Sequence, residues 1–540
     1  MLIKIINNII HILKFSSKKI FLNFDSFLLL LLVFLSFSVR YIVLFSQPSY
    51  GLYSDDAIYM DIARSLLNGD FAKIFHPWWS PFFPMVSALF HFFVQDWGLT
   101  GRIVSLVFGS LLILPIYLIA RIYFGRITTI LVCFFVIFLK SLAYSSTQSL
   151  TEALLVFLIW MGIYLYLKCF QTKRNIFAFF SGIFLSFAAL TKAEGIFIFT
   201  SFLFTSTMYL IFFFLKNKIL HKQIALIFIF ILLGFSIIYL PYQIAMQNKY
   251  KQSVPLAKAS AAAQLHSPFN FNSTKTSTWA QDFFSTETFN VKSEFGQGFF
   301  SILTKTHEAW LRDTNTRLSY FSKTYLYNNF SAVGMLAFFF GAIWMLFRTR
   351  DYKTFTFLFL VPLIFFEIVM FFAPNGDERY IYWLYPLIPL GIAFGSIKLP
   401  YIPKKIIKFN IVSLILFLIV FLSSNAFYTP SILKEVRNTS IKKSTIISQD
   451  EWLMKNDPGK RLMSKHEAYG FYSKSLIIYT PIVSDLNELL TYAHLQKADY
   501  IIATPDELHP AVLFLSTNPK DYPGLKLING EQDMQLYRIL

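Results

Sequence analysis

The run Phe27–Val39, FLLLLLVFLSFSV, contains no charged side chain, and neither do the runs Ile103–Ala120 and Ile224–Leu240. Each run is long enough, or nearly so, to cross about 30 Å of hydrocarbon as a helix. Across the 540 residues, 55% are hydrophobic and 14% are charged, which is too apolar for a soluble protein of this length. The sequence therefore predicts an α-helical polytopic membrane protein.

The apolar runs predict about eleven transmembrane helices. Their predicted positions are 26–46, 102–120, 127–144, 151–167, 176–190, 196–215, 223–241, 328–347, 355–373, 380–397 and 409–427. Lysine and arginine cluster in alternate connections, as expected of cytoplasmic loops, and form no single basic face. The net charge of +18 therefore does not indicate nucleic-acid binding. We predict a multi-pass protein of the plasma (cytoplasmic) membrane, with a cytoplasmic N-terminus and an extracytoplasmic C-terminus.

The residues outside the spans predict two domains. A transmembrane domain over 1–429 carries large external loops at about 47–101 and 243–326, and a tail follows over 430–540. In the tail, strand-like runs alternate with helical patterns at 446–455 and 485–496, which predicts a small extracytoplasmic α/β domain. The strand-like runs are Leu476–Tyr479, Tyr500–Ala503, Leu525–Ile528 and Gln535–Leu540, and the Asn529-Gly530 pair between the last two is a hairpin signal.

Two adjacent carboxylates, Asp55 and Asp56, open the first predicted external loop. The segment that follows, Ala57–Leu67, has apolar side chains on one face, so we expect a helix along the outer membrane surface. The pair has two interpretations. Ser54 or Asp55 caps the helix, or the pair acts as a general base or a metal-ligating group.

Glu152 and Lys192 lie at two further external span ends. Glu152 follows Thr151 at the start of the fourth predicted span, where the helix dipole alone favours a carboxylate. Lys192 lies in an outer turn, where lysine is disfavoured by topology. It either forms an ion pair with Glu194 or holds a phosphate.

Arg379 is a similar exception at the external start of a later span. It either pairs locally with Asp377 and Glu378 or binds a lipid phosphate, for which the guanidinium is well shaped. Glu367 lies inside its predicted span and needs a polar cavity, a partner or a proton.

Taken together, these motifs resemble the C-type (GT-C) membrane glycosyltransferases that use polyprenyl-phosphate sugars. This group contains protein O-mannosyltransferases and lipid A aminoarabinose transferases, and the similarity covers most of the chain. The motifs that carry it are Tyr53-Ser54-Asp55-Asp56-Ala57-Ile58-Tyr59, Ala63-Arg64, Asn68-Gly69-Asp70, Pro81-Phe82-Phe83-Pro84, Glu152, Leu190-Thr191-Lys192 and Arg379-Tyr380 leading into Leu384-Tyr385-Pro386-Leu387. Two positions depart from the family pattern: Asp56, where glutamate is frequent, and Glu194, where a small residue is common.

The resemblance implies a sugar donor carried on a polyprenyl phosphate. It implies that Asp55 is the catalytic base or a metal-site acid supported by Asp56, and that Glu152 is a second site carboxylate. Lys192 and Arg379 would hold the donor phosphate.

Three further residues are candidates for the substrate pocket: Tyr59, Glu194 and Tyr380. A divalent metal ion bound by Asp55 and Glu152 stays an open option.

Elementary chemistry agrees with a lipid-borne donor. Nucleotide sugars are confined to the cytoplasm, so transfer at an external site needs a donor delivered through the membrane on a lipid. Attack on the anomeric carbon needs one base and positive charge near the leaving phosphate. The acceptor, a protein, a lipid or a cell-wall glycan, is not predicted. The alternatives are a lipid-linked glycan flippase or transporter and a non-catalytic glycan-binding relative.

Overall fold

A computed structural model gives the fold of this chain. It describes residues 24–46, 52, 55–76, 79–192, 194–217, 222–250, 378–397, 449–464, 467–480, 483, 485–504, 508, 512–531 and 534–540. Within these ranges, 4 helices have the length and composition needed to cross a membrane: Phe24–Phe45, Trp97–Tyr123, Glu152–Thr172 and Gln223–Lys249.

The helical part contains twelve described α-helices, several of them shorter than a membrane span. In chain order they are α1 Phe24–Phe45, α2 Asp55–Leu67, α3 Phe82–His91, α4 Trp97–Leu111, α5 Ile113–Tyr123, α6 Arg126–Phe138, α7 Lys140–Ser145, α8 Glu152–Thr172, α9 Asn175–Thr191, α10 Glu194–Asn217, α11 Lys222–Tyr250 and α12 Leu387–Ile397. Two 3₁₀ helices accompany them, at Phe71–Ile74 and Glu378–Leu384.

The spans predicted from sequence fall on these helices with some corrections. The span predicted at 380–397 is a 3₁₀ helix followed by α12. The single span predicted at 102–120 consists of α4 and α5, which meet at Leu112. The spans predicted at 328–347, 355–373 and 409–427 lie outside the described residues, as do Glu367 and most of the loop predicted at 243–326.

The first predicted loop is more helical than the sequence pattern indicates. Helix α2 begins at Asp55, two residues before the predicted start. Helix α3 was not predicted at all, although Pro81 and Pro84 lie near its first turn, where proline is well tolerated. Lys249, near the end of α11, donates from Nζ to the carbonyl oxygens of Ala72 and Phe75 at 3.0 and 3.1 Å and so fixes the 3₁₀ helix between α2 and α3.

The span predicted at 127–144 is interrupted. Helix α6 ends at Phe138, Leu139 has an extended backbone (φ −66°, ψ 115°), and α7 follows. The chain then runs through residues 146–151, here called the serine-rich connection, before α8 begins at Glu152. This connection has four buried serines or threonines, Ser146, Thr147, Ser149 and Thr151, which explains why hydropathy alone does not define the end of the span.

Helix α4 receives the serine-rich connection on a face of small residues. Gly101, Ser105 and Gly109 recur every four positions and therefore lie on one face of α4. The Ser105 hydroxyl donates to the carbonyl oxygen of Leu150 at 3.0 Å. A Cβ at Gly101 would overlap the hydroxyl of Ser149, and one at Gly109 would overlap that of Ser146. The small residues thus allow the chain before Glu152 to lie directly on α4.

Helices α9 and α11 make an equally close crossing through a pair of glycines. A Cβ at Gly182 would overlap the carbonyl oxygen of Ile231, and a Cβ at Gly234 would overlap that of Phe179. Small residues at membrane helix crossings let two backbones approach in this way.

Replacing Gly182 with alanine should separate α9 from α11, because the obstacle to the new methyl group is backbone and cannot rotate away. We expect a loss of about 1–3 kcal/mol in stability, measured as a lower melting temperature of the purified protein in detergent. Gly125→Ala is the matched control, since a Cβ there meets no heavy atom within 4 Å. Equal melting temperatures for the two variants would contradict this description of the crossing.

The described residues between 449 and 540 form a five-stranded mixed sheet with short helices, here called the C-terminal sheet unit. The strand order is β2-β1-β3-β5-β4, with β1 parallel to β2 and β3, and β5 antiparallel to β3 and β4. Its elements are a helix at 449–456, β1 Arg461–Ser464, β2 Leu476–Tyr479, α13 Leu486–Leu495, β3 Tyr500–Ala503, α14 Phe514–Thr517, β4 Leu525–Glu531 and β5 Met534–Ile539.

Strands β2 and β3 span the predicted residues, whereas β1 was not predicted and the hairpin was misplaced. Asn529 and Gly530 lie within β4, and the ladder pairs Glu531 with Met534, so the reversal falls after Glu531. The register shifts between Leu527 and Asn529. The Asn-Gly pair therefore lies beside an irregularity within strand β4 and not in a hairpin turn. Glycine inside a strand often marks such an irregularity.

The C-terminal sheet unit contacts helix α2. Arg64 donates from Nη1 to the carbonyl oxygen of Phe471 at 2.6 Å, and its guanidinium lies 4.2 Å from the centre of the Phe471 ring. Trp97 meets the same ring edge-on, with centroids 6.5 Å apart. Behind this turn, the buried carboxylate of Asp450 accepts the backbone N–H groups of Tyr472 and Ser473. The helix that begins with Asp55 is thus anchored near its other end by the sheet.

Candidate functional site

The first element of the candidate site is an ion pair across the chain. Arg379, in the 3₁₀ helix Glu378–Leu384, lies with Nη1 3.2 Å from Oδ2 of Asp55, the first residue of α2. Both side chains are about one-third exposed. Asp377 and the side chain of Glu378, the candidate local partners of Arg379, lie outside the described part of the chain. The partner of Arg379 that the structure describes, Asp55, lies more than 300 positions earlier in the chain.

The second element is a lysine held between two glutamates. Lys192 Nζ lies 3.1 Å from Oε1 of Glu152 and 3.0 Å from Oε1 of Glu194. All three side chains are largely buried, with Glu152 only 4% exposed. Of the two interpretations of Lys192, the ion pair with Glu194 is present in the structure, and Glu152 is an additional partner that spacing could not indicate.

The charges of the two elements lie close enough to influence each other, and Asp55 responds to both Arg379 and Glu152. Burial raises the pKa of Asp55 above its usual range, and the positive charge and hydrogen bond of Arg379 act in the opposite direction. The negative charges of Glu152 and Asp56 raise the pKa of Asp55 further. A carboxylate whose pKa is raised toward neutrality binds a proton more strongly, which suits a general base.

Replacing Arg379 with glutamine should raise the pKa of Asp55 still more, because the change removes the charge and weakens the hydrogen bond that oppose burial. If Asp55 must be ionised to act, the acid limb of the pH–rate profile should move to higher pH. The check is activity measured against pH for both proteins at equal amounts of folded enzyme. An acid limb that does not move would show that Asp55 does not control it.

Tyr59 lies one turn after Asp55 and lines the same region. Its hydroxyl is hydrogen-bonded with the side chain of Thr151, and burial together with the charges of Asp55 and Glu152 raises its pKa. Trp79 and Phe83 meet its ring edge-on, with centroids 5.4 and 5.5 Å away. Tyr59 therefore stays protonated and links α2 to the residue before Glu152.

Asp56 is buried, and its Oδ1 accepts the N–H of Ala57 at 3.0 Å. Of the other predicted pocket residues, Glu194 lies beside Lys192, while the side chain of Tyr380 is outside the described part. Ser54, one of the two residues that could cap α2, also lies outside the described part of the chain.

Helix α8 fixes the segment that carries Arg379. The indole Nε1 of Trp160 donates to the carbonyl oxygen of Trp383 at 2.9 Å, and both side chains are buried. Trp160 lies two turns after Glu152 on α8, so one helix positions both a carboxylate of the site and the 3₁₀ helix of Arg379.

Sequence reasoning missed the supporting residues of this site. Thr151 and Trp160 have ordinary neighbours in sequence, and no spacing rule relates them to Tyr59 or Trp383. Arg64 belongs to a motif of the resemblance, but its hydrogen bond to the carbonyl oxygen of Phe471 was not predicted. Arg40 could have been noticed, since a charge inside the predicted span 26–46 is unusual in a membrane helix.

Comparison with known proteins gives two kinds of match. Residues 76–250 match the sequence model of the family described as Dolichyl-phosphate-mannose-protein mannosyltransferase. No curated protein matches this chain as a sequence relative.

Solved structures match over most of the chain. The oligosaccharyltransferase AglB from Archaeoglobus fulgidus, in complex with an inhibitory peptide and a dolichol-phosphate, has 12% identity and a TM-score of 0.58, covering 95% of this chain and 74% of that chain. ArnT from Cupriavidus metallidurans bound to undecaprenyl phosphate has 13% identity and a TM-score of 0.54, covering 95% and 98%. The Archaeoglobus fulgidus oligosaccharyltransferase in complex with Zn and sulfate has 14% identity and a TM-score of 0.54, covering 88% and 68%.

At these identities the similarity establishes the fold. The chain has the fold of these membrane transferases, and the resemblance to the GT-C glycosyltransferases predicted from sequence is confirmed by the family match and the structural matches.

Proposed function

We propose that this protein is a multi-pass membrane glycosyltransferase that moves a sugar from a polyprenyl-phosphate donor to an acceptor on the extracytoplasmic face. The observation that carries the proposal is the joint position of Asp55, Arg379, Glu152 and Lys192 in one electrostatic environment. The site offers both a carboxylate of raised pKa and two cations, which are the groups that transfer from a lipid phosphate requires.

Asp55 acts as the general base in this proposal. It takes the proton of an acceptor hydroxyl or amine as the acceptor atom forms a bond to the anomeric carbon. The bond between that carbon and the phosphate oxygen breaks, and its electron pair leaves with the lipid phosphate. Asp56, buried beside Asp55, raises the pKa of the base through its negative charge.

Lys192 and Arg379 hold the leaving phosphate. Each cation is already paired with a carboxylate, so its side chain is oriented before the donor arrives. Lys192 has two carboxylate partners and remains paired when one of them is exchanged for a phosphate oxygen. Pre-oriented charge of this kind stabilises the developing negative charge without reorganisation during the reaction.

Positive charge from a divalent metal at Asp55 and Glu152 is the alternative arrangement. A similar oligosaccharyltransferase was solved with Zn. Among the described residues, however, no group of three His, Cys, Asp or Glu side chains is placed to hold a metal ion. One oxygen of each carboxylate is also engaged by a cation. The side chains do not fit a metal site in this arrangement, so no step of the mechanism uses a metal.

The proposed protein has two domains, with the substrate pocket in the first. Residues 1–429 form the transferase domain in the plasma membrane, with the N-terminus cytoplasmic, and residues 430–540 form an extracytoplasmic α/β domain. Tyr59, Glu194 and Tyr380 line the substrate pocket. The described contact of Arg64 with Phe471 supports a role for the tail beside the site, where an acceptor would approach. A similar oligosaccharyltransferase was solved with a tethered acceptor peptide, whereas the acceptor here is a protein, a lipid or a cell-wall glycan.

The test is transfer of radiolabelled sugar from a panel of polyprenyl-phosphate sugars in membranes that contain this protein. Membranes without the protein are the control, and extracts supply protein, lipid and glycan acceptors. Transfer that depends on the protein and on one lipid-linked donor is the expected result. No transfer from any donor would favour a lipid-linked glycan flippase or a non-catalytic glycan-binding protein.

A further inference from the structure

Arg40 lies in the membrane-spanning helix α1 and is fully buried. Within the described part of the chain it forms no ion pair with a carboxylate, and its Nη2 has no hydrogen-bond partner. A buried charge without a counter-ion is costly in a membrane protein, and such residues usually serve a purpose. The proposed mechanism does not use Arg40 directly.

The guanidinium of Arg40 contacts three different parts of the fold. Nη1 donates to the hydroxyl of Ser36 at 2.8 Å on its own helix and approaches the carbonyl oxygen of Ile137 at 3.4 Å. Nε donates to the hydroxyl of Ser146 at 3.1 Å. Ile137 lies in the last turn of α6, where carbonyl groups lack partners within the helix and carry the negative end of its dipole. This helix end partly compensates the charge of Arg40.

Ser146 begins the serine-rich connection that ends at Glu152. The connection lies on the small-residue face of α4, where Gly109 faces Ser146 and Ser105 donates to the carbonyl oxygen of Leu150. Thr151, the last residue of the connection, is hydrogen-bonded with Tyr59, and the next residue, Glu152, contacts Lys192. Ser146 is therefore joined to Glu152 by a short segment that packs against α4.

We propose that Arg40 is a positioning residue, which fixes the break between α6 and α7 and thereby holds Glu152 at the ammonium group of Lys192. The expected effect on donor kinetics rests on the proposed function, whereas the effect of Arg40 on the backbone over 137–151 can be tested without it. The planar guanidinium reaches Ser36, Ile137 and Ser146 at once. A lysine ammonium keeps the charge but lacks this fixed fork of donors.

The experiment compares Arg40→Lys with wild type by hydrogen exchange and by donor kinetics. The amides of Ser146, Thr147 and Gln148 donate to backbone carbonyls in the native fold, so their exchange reports on the connection. We expect faster exchange in peptides over 137–151 and unchanged exchange over α9 and α11. We also expect a higher KM for the lipid-linked donor, with kcat/KM reduced by up to about 10²-fold, as for catalytic groups displaced by about 1 Å.

Arg121→Lys is the matched control, because Arg121 forms a partly exposed pair with Asp25 at 3.1 Å, away from the connection. A general loss of stability in Arg40→Lys would lower kcat in proportion to the folded fraction and leave the donor KM unchanged. That result, or unchanged exchange over 137–151, would overturn the proposal. If the wild-type protein transfers no sugar, the proposed function fails, while the exchange data still decide whether Arg40 holds the connection.

Discussion

Asp55→Asn is expected to lower the rate of sugar transfer by about 10²–10⁴-fold, the range typical of losing a general base. Asparagine has nearly the same shape as aspartate, and its amide oxygen can still accept a hydrogen bond from Arg379, but it cannot take a proton from the acceptor. The loss should therefore appear in kcat at saturating donor, at every pH where the wild type is active. The measurement is initial-rate transfer at equal amounts of folded protein.

Asp61→Asn is the matched control on the same helix. Asp61 lies in the middle of α2 and pairs with Arg64 at 2.6 Å and Lys73 at 2.8 Å, on the side that contacts the C-terminal sheet unit. Removing this partly exposed charge should change transfer only modestly, because exposed ion pairs contribute little to stability. If both variants lost activity equally, the loss would reflect damage to α2, and the assignment of Asp55 as the base would be wrong.

How far the sequence predicts this site depends on the range of each interaction. The extent of helix α2 was predicted nearly in full, because its apolar face and its acidic first turn are local patterns. The pairing of Lys192 with Glu194 was one of the two interpretations that the sequence offered for Lys192, since the two residues are separated by only Ala193. Local spacing was sufficient in both cases.

Ion pairs between residues far apart in the chain could not be predicted from the sequence. The sequence offered Arg379 two roles, a local pair with the acids beside it or a lipid phosphate, and gave no sign of its described contact with Asp55, which depends on the packing of α8 against the 3₁₀ helix through Trp160 and Trp383. Glu152 was predicted as a site carboxylate, but nothing in its surroundings pointed to Lys192. Such contacts depend on how helices cross, which a single sequence does not specify.

The broken span at 127–144 shows why hydropathy is a poor guide to helix ends inside a membrane protein. The sequence remains apolar through Leu139, so an uninterrupted helix was predicted. Polar groups from elsewhere contact the chain on either side of the break: Nη1 of Arg40 on α1 approaches the carbonyl oxygen of Ile137, and the Ser105 hydroxyl on α4 donates to the carbonyl oxygen of Leu150. An irregular backbone is tolerated at membrane depth only where protein groups satisfy it, and here those groups come from distant parts of the chain.

Lys192→Met should have the largest effect on stability and should also abolish donor use. The substitution leaves two buried carboxylates, Glu152 and Glu194, near each other without the cation between them. Removing one partner of a buried ion pair costs about 3–5 kcal/mol, so we expect a marked fall in melting temperature. Without the ammonium group, the donor phosphate would also meet uncompensated negative charge, and donor binding should be lost.

A second variant separates these two effects. In Lys192→Met with Glu194→Gln, one of the two negative charges is also removed, so much of the lost stability should return while transfer remains absent. Lys192→Arg keeps the positive charge and should retain part of the activity. Melting temperature and transfer rate are measured for all three proteins. Recovery of transfer together with stability in the double variant would mean that Lys192 only neutralises its glutamates and that the donor phosphate is held elsewhere.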